Sequence, residues 1–321
     1  MLERIKIVVV VTTFNGAKHI DGQLESILAQ SHLPDEIFVF DDCSTDQTIE
    51  ILHTYVEKNV IKLIQSDSNK GVRKNIRDAL TYVGDKFDYI ALSDQDDIWE
   101  KDKLEKNLTA IQSIEEIDKP ALVHSDLSVI DSENNVISRS FWRDRNTDRY
   151  NHCFETLLFN NFVTGCSIMM NKAMLPYAKS IPINTKSYHD FWLALSAYSF
   201  GNVHEIKESL IRHRQHSGSQ TLSGANIRIT LYYRFIYQLE YFLSPGKYLE
   251  DQLEIIEVFY KRYAHSMTPD NQLILTKFLA LKGKGYITKK TYIRSIFKNN
   301  LAKATLTIPY RDEKQKNHSR L

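Results

Sequence analysis

The stretch Ile5-Lys6-Ile7-Val8-Val9-Val10-Val11-Thr12-Thr13-Phe14-Asn15-Gly16 decides the fold. A short, almost wholly β-branched run that stops at polar residues is the pattern of a buried strand in a parallel sheet. Three runs of the same kind follow at Glu36–Asp41, Ile61–Gln65 and Tyr89–Ser93. Helical spacing fills the gaps. Gly22–Gln30 brings together Leu24, Ile27 and Leu28; Thr45–Asn59 brings together Ile49, Leu52 and Val56; Val72–Val83 brings together Ile76, Ala79, Leu80 and Val83. Strands and helices alternating in this way predict right-handed βαβ units in an open α/β sheet, with any ligand at the carboxyl ends of the strands.

Beyond Pro120 the pattern loosens. Strands are expected at Ala121–Ile130 and Val136–Ser140, as a hairpin inserted in a mixed region that carries acceptor-binding loops, followed by an uncharged segment around Val163–Met170. Helix returns at Asp190–Phe200, with Phe191, Leu195 and Tyr198 on one apolar face and Gly201 at the C-cap. From Ser223 onward the periodicity is mostly helical, over Ile227–Leu243, Tyr248–Tyr263 and Asp270–Leu281. The expected division is a catalytic α/β domain over 1–222, a C-terminal helical region over 223–309 and a disordered polar tail over 310–321.

Composition narrows the class. The uncharged stretches Thr156–Asn171 and Phe191–His204 are too short or too polar to cross a bilayer, and Ile7–Val11 is too short for a secretory signal. The chain is therefore expected in the cytoplasm. Cys43, Cys153 and Cys166 are odd in number and widely spaced, which argues against a disulfide framework or a structural zinc site. The net charge of +1 hides an asymmetry: residues 221–321 hold 17 Lys and Arg against 8 Asp and Glu, a balance of +9, and the rest hold 24 against 32, a balance of −8. A basic, aromatic-rich tail on an acidic body points to an anionic surface, and a membrane is favoured over nucleic acid.

Five constellations carry chemistry. Val11–Gly16 ends a strand in a turn that presents N–H groups and hydroxyls; the plain alternative is an ordinary βα turn. Asp41-Asp42-Cys43-Ser44-Thr45-Asp46 ends the second strand, where Ser44 or Thr45 can cap a helix and Asp42 can accept the imide N–H of a uracil or thymine. Asp94-Gln95-Asp96-Asp97-Ile98-Trp99 puts three carboxylates in four residues, either a solvated acidic turn or a divalent-cation site. His189-Asp190-Phe191-Trp192 opens a helix, where Asp190 either complements the helix dipole or, desolvated beside Trp192, acts as general base. In Arg212-His213-Arg214-Gln215-His216 each histidine could be a plain surface residue, but two Arg and two His in five residues are better read as an anion or metal contact.

Taken in order, Thr12–Gly16, Asp41–Asp46, Asn69-Lys70-Gly71, Asp94–Trp99, Thr164-Gly165-Cys166, His189–Trp192 and Arg214-Gln215-His216 resemble the family 2 glycosyltransferases, in their bacterial rhamnosyltransferase-like branch. The resemblance covers residues 5–220. It implies a GT-A fold, a Rossmann-like, mostly parallel central sheet with flanking helices. It also implies a nucleotide-sugar donor, Mn2+ or Mg2+ at the Asp-x-Asp motif and inversion at the anomeric carbon. Two departures stand out: Cys43 replaces a common glycine or asparagine, and His189 replaces a common glutamate, so only Asp190 is carried over as base.

On this reading Thr12, Asn15, Asp42, Arg73 and Asp94 bind the nucleotide, Asp96 and His216 hold the metal, and Thr164, Gly165, Cys166, His189 and Trp192 line the sugar and acceptor side. The donor is dTDP-rhamnose or a UDP-sugar, with rhamnose favoured, and the acceptor is a glycan or polyprenyl-linked hydroxyl in cell-surface polysaccharide synthesis. Competing readings are a nucleotidyltransferase, whose Gly-rich basic loop is missing after Val11, and a catalytically silent scaffold. No nucleic-acid partner is expected. Two readings of the C-terminal helices stand side by side. Either Ile227, Leu231, Phe235 and Leu239 form a core stripe, or Lys282, Lys284, Lys289, Lys290, Arg294 and Lys298, with Tyr286, Tyr292, Ile293, Ile296 and Phe297 interleaved, meet anionic headgroups. The same helices offer a homodimer contact.

Overall fold

The computed structural model describes residues 4–185, 189–215 and 249–301. Its strands are β1 (Ile7–Thr13), β2 (Glu36–Asp41), β3 (Lys62–Gln65), β4 (Tyr89–Ser93), β5 (Ile98–Trp99), β6 (Ala121–Ile130), β7 (Val136–Ser138), β8 (Met169–Asn171) and β9 (Asn202–Arg214). They form one sheet in the order β3-β2-β1-β4-β8-β6-β9-β5, with β7 paired to β6. β1 runs parallel to β2 and β4, β2 to β3, and β6 to β9. β8 is antiparallel to both β4 and β6, which makes the fold mixed beyond β4.

The helices are α1 (Ile20–Leu28), α2 (Thr48–Glu57), α3 (Val72–Val83), α4 (Lys103–Ile114), the single turns α5 (Phe141–Asp144), α6 (Phe154–Leu157) and α7 (Leu175–Ala178), then α8 (His189–Phe200), α9 (Glu250–Tyr263), α10 (Pro269–Leu279) and α11 (Tyr286–Asn299). Successive β1 side chains feed two cores, as alternation along a strand requires. Ile7, Val9 and Val11 pack with Leu24, Leu52 and Leu104 of α1, α2 and α4. Val8 and Val10 pack on the other face, in the core that holds Ile76 and Leu80 of α3, Trp192 of α8 and Phe259 of α9. Burial on both faces is why the valine run carries no alternation.

Several expectations change. The run Ile61–Gln65 yields an edge strand, β3 (Lys62–Gln65), that is only half-buried, with Lys62 paired to Glu36 on the surface. Helix α4 has no clean apolar stripe because Lys103 and Asn107 occupy its buried face beside Leu104 and Ile111. Helix α8 is not one-sided: Phe191, Trp192, Leu193, Ala194, Leu195 and Ala197 are all buried, because α3, α7 and the C-terminal helices surround it. Gly201 closes α8 through its N–H on Ala197 O at 2.9 Å, and a Cβ there would lie 1.8 Å from Pro120 O. Close approach of two backbones demands that glycine.

The C-terminal helices share the α8 core. Phe259 of α9 meets the Trp192 ring edge-on at 5.0 Å, and Tyr263 joins the same cluster. In α11, Ile293 is buried, Tyr292, Ile296 and Phe297 pack against the core, and Lys289 is only 1% exposed. Of the apolar residues expected to face headgroups, Tyr292, Ile293, Ile296 and Phe297 thus face the protein instead. The stripe from Ile227 to Leu239 lies outside the described residues. No helix among those described is long and apolar enough to cross a membrane.

Candidate active site at the strand ends

β1, β2 and β4 end side by side, so their loops converge. Thr12 lies at the end of β1, nearly buried, paired with Phe40 of β2. The next residues are tied to the acidic turn by Gln95, the middle residue of Asp94-Gln95-Asp96. Its Oε1 accepts from Thr13 Oγ1 at 2.7 Å and from Phe14 N at 2.8 Å, and its Nε2 donates to Phe14 O at 3.2 Å. A Cβ on Gly16 would fall 2.4 Å from Gln95 Oε1, so the glycine makes room for this clamp. No charge pattern marks this interaction, since Gln95 is a neutral amide and its partners lie 81 and 82 residues away in the sequence.

Asn15, in the left-handed region at φ 50°, joins β1 to the β2 loop: its N donates to Ser44 Oγ and its Oδ1 accepts from Thr45 N, both at 2.8 Å. Asp41, which had no assigned role, accepts from Ser44 N at 2.9 Å and from Ser44 Oγ, shaping the turn at Cys43, itself at φ 66°. Asp42 accepts from Lys70 N at 2.8 Å and Gly71 N at 2.7 Å. It therefore pins the loop that leads into α3, and each oxygen keeps a lone pair for a base edge. Arg73 stands in the first turn of α3, half-buried, just beyond that loop.

The acidic turn divides by depth. Asp97 is buried, and its Oδ1 accepts from His213 Nδ1 at 2.9 Å and from Arg214 N at 3.1 Å. Burial alone would raise its carboxyl, but the His213 imidazolium holds it low, and His213 is itself raised by the same partner. Arg214 fastens the turn further, donating Nε to Asp96 O and Nη1 to Asp131 O, each at 2.8 Å, and Nη2 to Asn134 Oδ1 at 2.7 Å. Asp94 and Asp96 are only half-buried. Burial, with the charges of Asp97 and Asp96 behind it and Asp190 adding to them, pushes Asp94 up to about 8. A carboxylate so strained by its neighbours fits a place for a divalent cation. His216 lies outside the described residues.

Thr164-Gly165-Cys166 forms the bridge between the turn and the base. A short 3-10 turn, Gly165–Ser167, points the Gly165 N–H at the Asp190 carboxylate and places Cys166 against Asp97. Cys166 is buried with its thiol pushed well up by burial and by the carboxylates, so it supports the acidic turn and lines no open surface. Asp97, Cys166 and His213 bring their ligand atoms within 4.8 Å of one another; Asp97 Oδ1 is paired with His213 Nδ1, while Asp97 Oδ2 and His213 Nε2 are buried without a hydrogen-bond partner among the described residues. Thr164 is half-buried at the start of this turn, accepting from Ser167 N at 2.9 Å through its carbonyl.

Asp190 stands on the first turn of α8. Its Oδ1 accepts from Phe191 N at 2.6 Å and Asn161 Nδ2 at 3.0 Å. Burial outweighs these bonds and the charge of Arg145, and lifts Asp190 to about 6. His189 is buried with its ring against Gly165, where a Cβ would come 2.5 Å from Nε2, and burial lowers it to about 4. Trp192 is fully buried, donates Nε1 to Tyr177 O at 2.9 Å and packs on Phe259, so it belongs to the core and not to a sugar pocket. Asn161 and Arg145 are residues that sequence reasoning missed: Asn161 is a neutral amide, and Arg145 is one of five charged residues in Arg143–Arg149, with nothing in the sequence to single it out.

Comparison with known proteins is consistent with this geometry. The family model for glycosyl transferase family 2 matches residues 8–174, more than half of the chain. The chain is 28% identical over 241 residues to the dTDP-rhamnosyl transferase RfbG of Shigella flexneri, covering 69% of this chain and 76% of that protein. It is 26% identical over 212 residues to the putative teichuronic acid biosynthesis glycosyltransferase TuaG of Bacillus subtilis, covering 64% and 77%. Among solved structures, S. aureus TarS 1–349 in complex with UDP superposes with a TM-score of 0.53 at 17% identity, covering 91% of this chain and 92% of that one; the chain spans 37% of a longer TarS chain. The mannosyltransferase PcManGT of Pyrobaculum calidifontis, in complex with GDP-Man and Mn2+, superposes with a TM-score of 0.51 at 15% identity, covering 92% and 80%. These structural likenesses establish the fold.

Proposed function

The chain belongs to glycosyl transferase family 2, and from that premise we propose that it is a metal-dependent, inverting glycosyltransferase that moves a sugar from a nucleotide-sugar donor to a hydroxyl of a glycan or polyprenyl-linked acceptor. The observation that carries the reading is Asp190: a desolvated carboxylate raised to about 6, aimed by three hydrogen bonds, with its charge felt at the acidic turn. Only one such carboxylate is called for in a single displacement, in which the acceptor oxygen attacks the face opposite the leaving diphosphate.

Asp96 and His216 are the residues proposed to hold Mn2+ or Mg2+, with Asp94 reaching the ribose or the ion's water shell. The ion would neutralise the diphosphate and stabilise it as leaving group. Thr12, Asn15, Asp42 and Arg73 hold the nucleoside, and the Gln95 clamp keeps their loop in register with the acidic turn. Asp190 takes the proton from the acceptor hydroxyl; a base near 6 is ionised at neutral pH yet remains basic enough to accept it. Asn161 and Gly165 hold the carboxylate in place while it does so. Rhamnose is the favoured sugar, on the likeness to RfbG, and TuaG and RfbG together favour a bacterial surface polysaccharide as the product.

The test is incubation with dTDP-rhamnose and a panel of UDP-sugars, with and without manganese, following release of the nucleoside diphosphate. Metal-dependent release of dTDP or UDP supports the proposal. Release of pyrophosphate instead would make the chain a nucleotidyltransferase, and metal-independent turnover would remove the assignment of Asp96.

A further inference from the structure

We propose that Arg145 is an anion-binding residue of the acceptor site, so that the acceptor carries a phosphate or carboxylate group close to the hydroxyl that is glycosylated. This rests on the reading of Asp190 as base.

Helix α5 holds Arg145 in place from below. Ser140 caps the helix by accepting from Arg143 N at 3.1 Å, and Asp126 accepts from Trp142 N at 3.1 Å and from Ser140 Oγ at 2.5 Å. Trp142 is buried, and its Nε1 donates to Phe162 O at 3.1 Å, one residue beyond the Asn161 that holds Asp190. Phe141, also buried, meets the His213 ring edge-on at 6.0 Å, behind the acidic turn. The one-turn helix thus touches both halves of the site, the support of the base through Trp142 and the support of the acidic turn through Phe141.

From this helix the Arg145 side chain lies over the Phe141 ring, with its guanidinium carbon 4.5 Å from the ring centre. The residue as a whole is exposed, yet its guanidinium is partly desolvated, which lowers its pKa, and among the described residues no hydrogen bond or ion pair holds it. Its charge is felt at Asp190, where it counters the effect of burial, while the charges that act most on Asp94 are Asp97, Asp96, His213 and Asp190. A guanidinium with five donors, placed on an aromatic face of the helix whose Trp142 bonds the residue next to Asn161, suits a planar or tetrahedral oxyanion arriving with the acceptor. The same charge tempers the repulsion that such an anion would meet at Asp190.

Thermal unfolding with saturating UDP and Mn2+ already bound separates this site from the donor site. The probes are farnesyl diphosphate, for a polyprenyl-linked acceptor, and methyl glucuronide, for an acidic glycan. At least one of them should raise the melting temperature of the wild-type chain. In Arg145→Gln the apparent affinity for that probe should fall by about tenfold or more, with partial recovery in Arg145→Lys, as expected for loss of a charge-assisted pair. UDP–Mn2+ affinity should be unaffected. The proposal is overturned if neither anion binds, if both bind Arg145→Gln as they bind wild type, or if Arg145→Gln chiefly weakens UDP–Mn2+, which would place the guanidinium on the leaving diphosphate. Donor turnover lost in Asp190→Asn tests the base separately.

Discussion

On the nucleotide side of the site each carboxylate sits where a strand stops, whereas on the acceptor side the base sits on the first turn of a buried helix. Asp41 ends β2 and Asp42 follows it, and Asp94, Asp96 and Asp97 follow β4, so their position follows from strand ends that are legible in the valine and isoleucine runs. Asp190 depends on rotation about α8. Two residues further on, Trp192 is turned by about 200° and enters the core against Phe259, so neighbours in one motif hold unrelated jobs. A strand end presents its loop as a unit, while a helix start sorts its residues by angle.

The difference is tested most sharply at Asp190. In Asp190→Asn the three hydrogen-bond donors remain but the basic oxygen is gone, so turnover should drop by roughly two to four orders of magnitude while UDP binding persists. In wild type, turnover should rise with pH through about 6, because the carboxyl, raised by burial, must lose its proton to act. A pH profile flat from 5 to 8, or near-normal turnover in the variant, would move the base elsewhere. His189, lowered to about 4 and buried, would be a weak substitute.

Asp96→Ala addresses the opposite half. Affinity for UDP in the presence of manganese should weaken by about two orders of magnitude, since the diphosphate would then face Asp94 and Asp97 without the cation's help. Titration calorimetry reads this directly. Unchanged, manganese-dependent binding would transfer the metal to other ligands.

Trp192→Ala should separate helix angle from motif. If Trp192 is core, the change lowers stability by about 3–5 kcal/mol, and the folded fraction keeps the wild-type acceptor KM. If it lines the sugar pocket, KM changes and stability barely does. Denaturant unfolding together with kinetics at low temperature distinguishes the two.

What the sequence made legible follows the same division. β2, β4, α3 and β6 lie where their patterns place them, because each owes its burial to residues within the element itself. Helix α4 was hidden, because Lys103, fully buried with its Nζ 3.7 Å over the Trp99 ring, replaces an apolar residue in the stripe. Cys166 and His213 owe their roles to Asp97, a partner that lies distant in sequence, so spacing alone could not reveal them. Gln95 and Asn161 act through neutral amides, which no charge pattern marks. The basic excess at the C-terminus was visible as charge, but its division between the buried Lys289 and the exposed Lys282 required the packing of α11.

The smallest effect concerns the loop after β2. Cys43 adopts φ 66°, a left-handed conformation that costs a residue with a Cβ roughly 1–2 kcal/mol. Glycine removes that strain but loses more backbone entropy on folding, about 0.5–1 kcal/mol. The balance for Cys43→Gly is a net gain of about 0.5–1 kcal/mol, with no hydrogen bond lost, because Asp41 and Ser44 shape the turn through their own atoms. Equilibrium unfolding should therefore show a modest rise in stability with the UDP affinity of wild type. A loss of stability would mean that the Cys43 side chain makes contacts worth more than the strain, and a loss of UDP affinity would bring the thiol into the nucleotide site. Either result would weaken the view that strand-end loops are set by backbone conformation, while helix starts are set by the direction of each side chain.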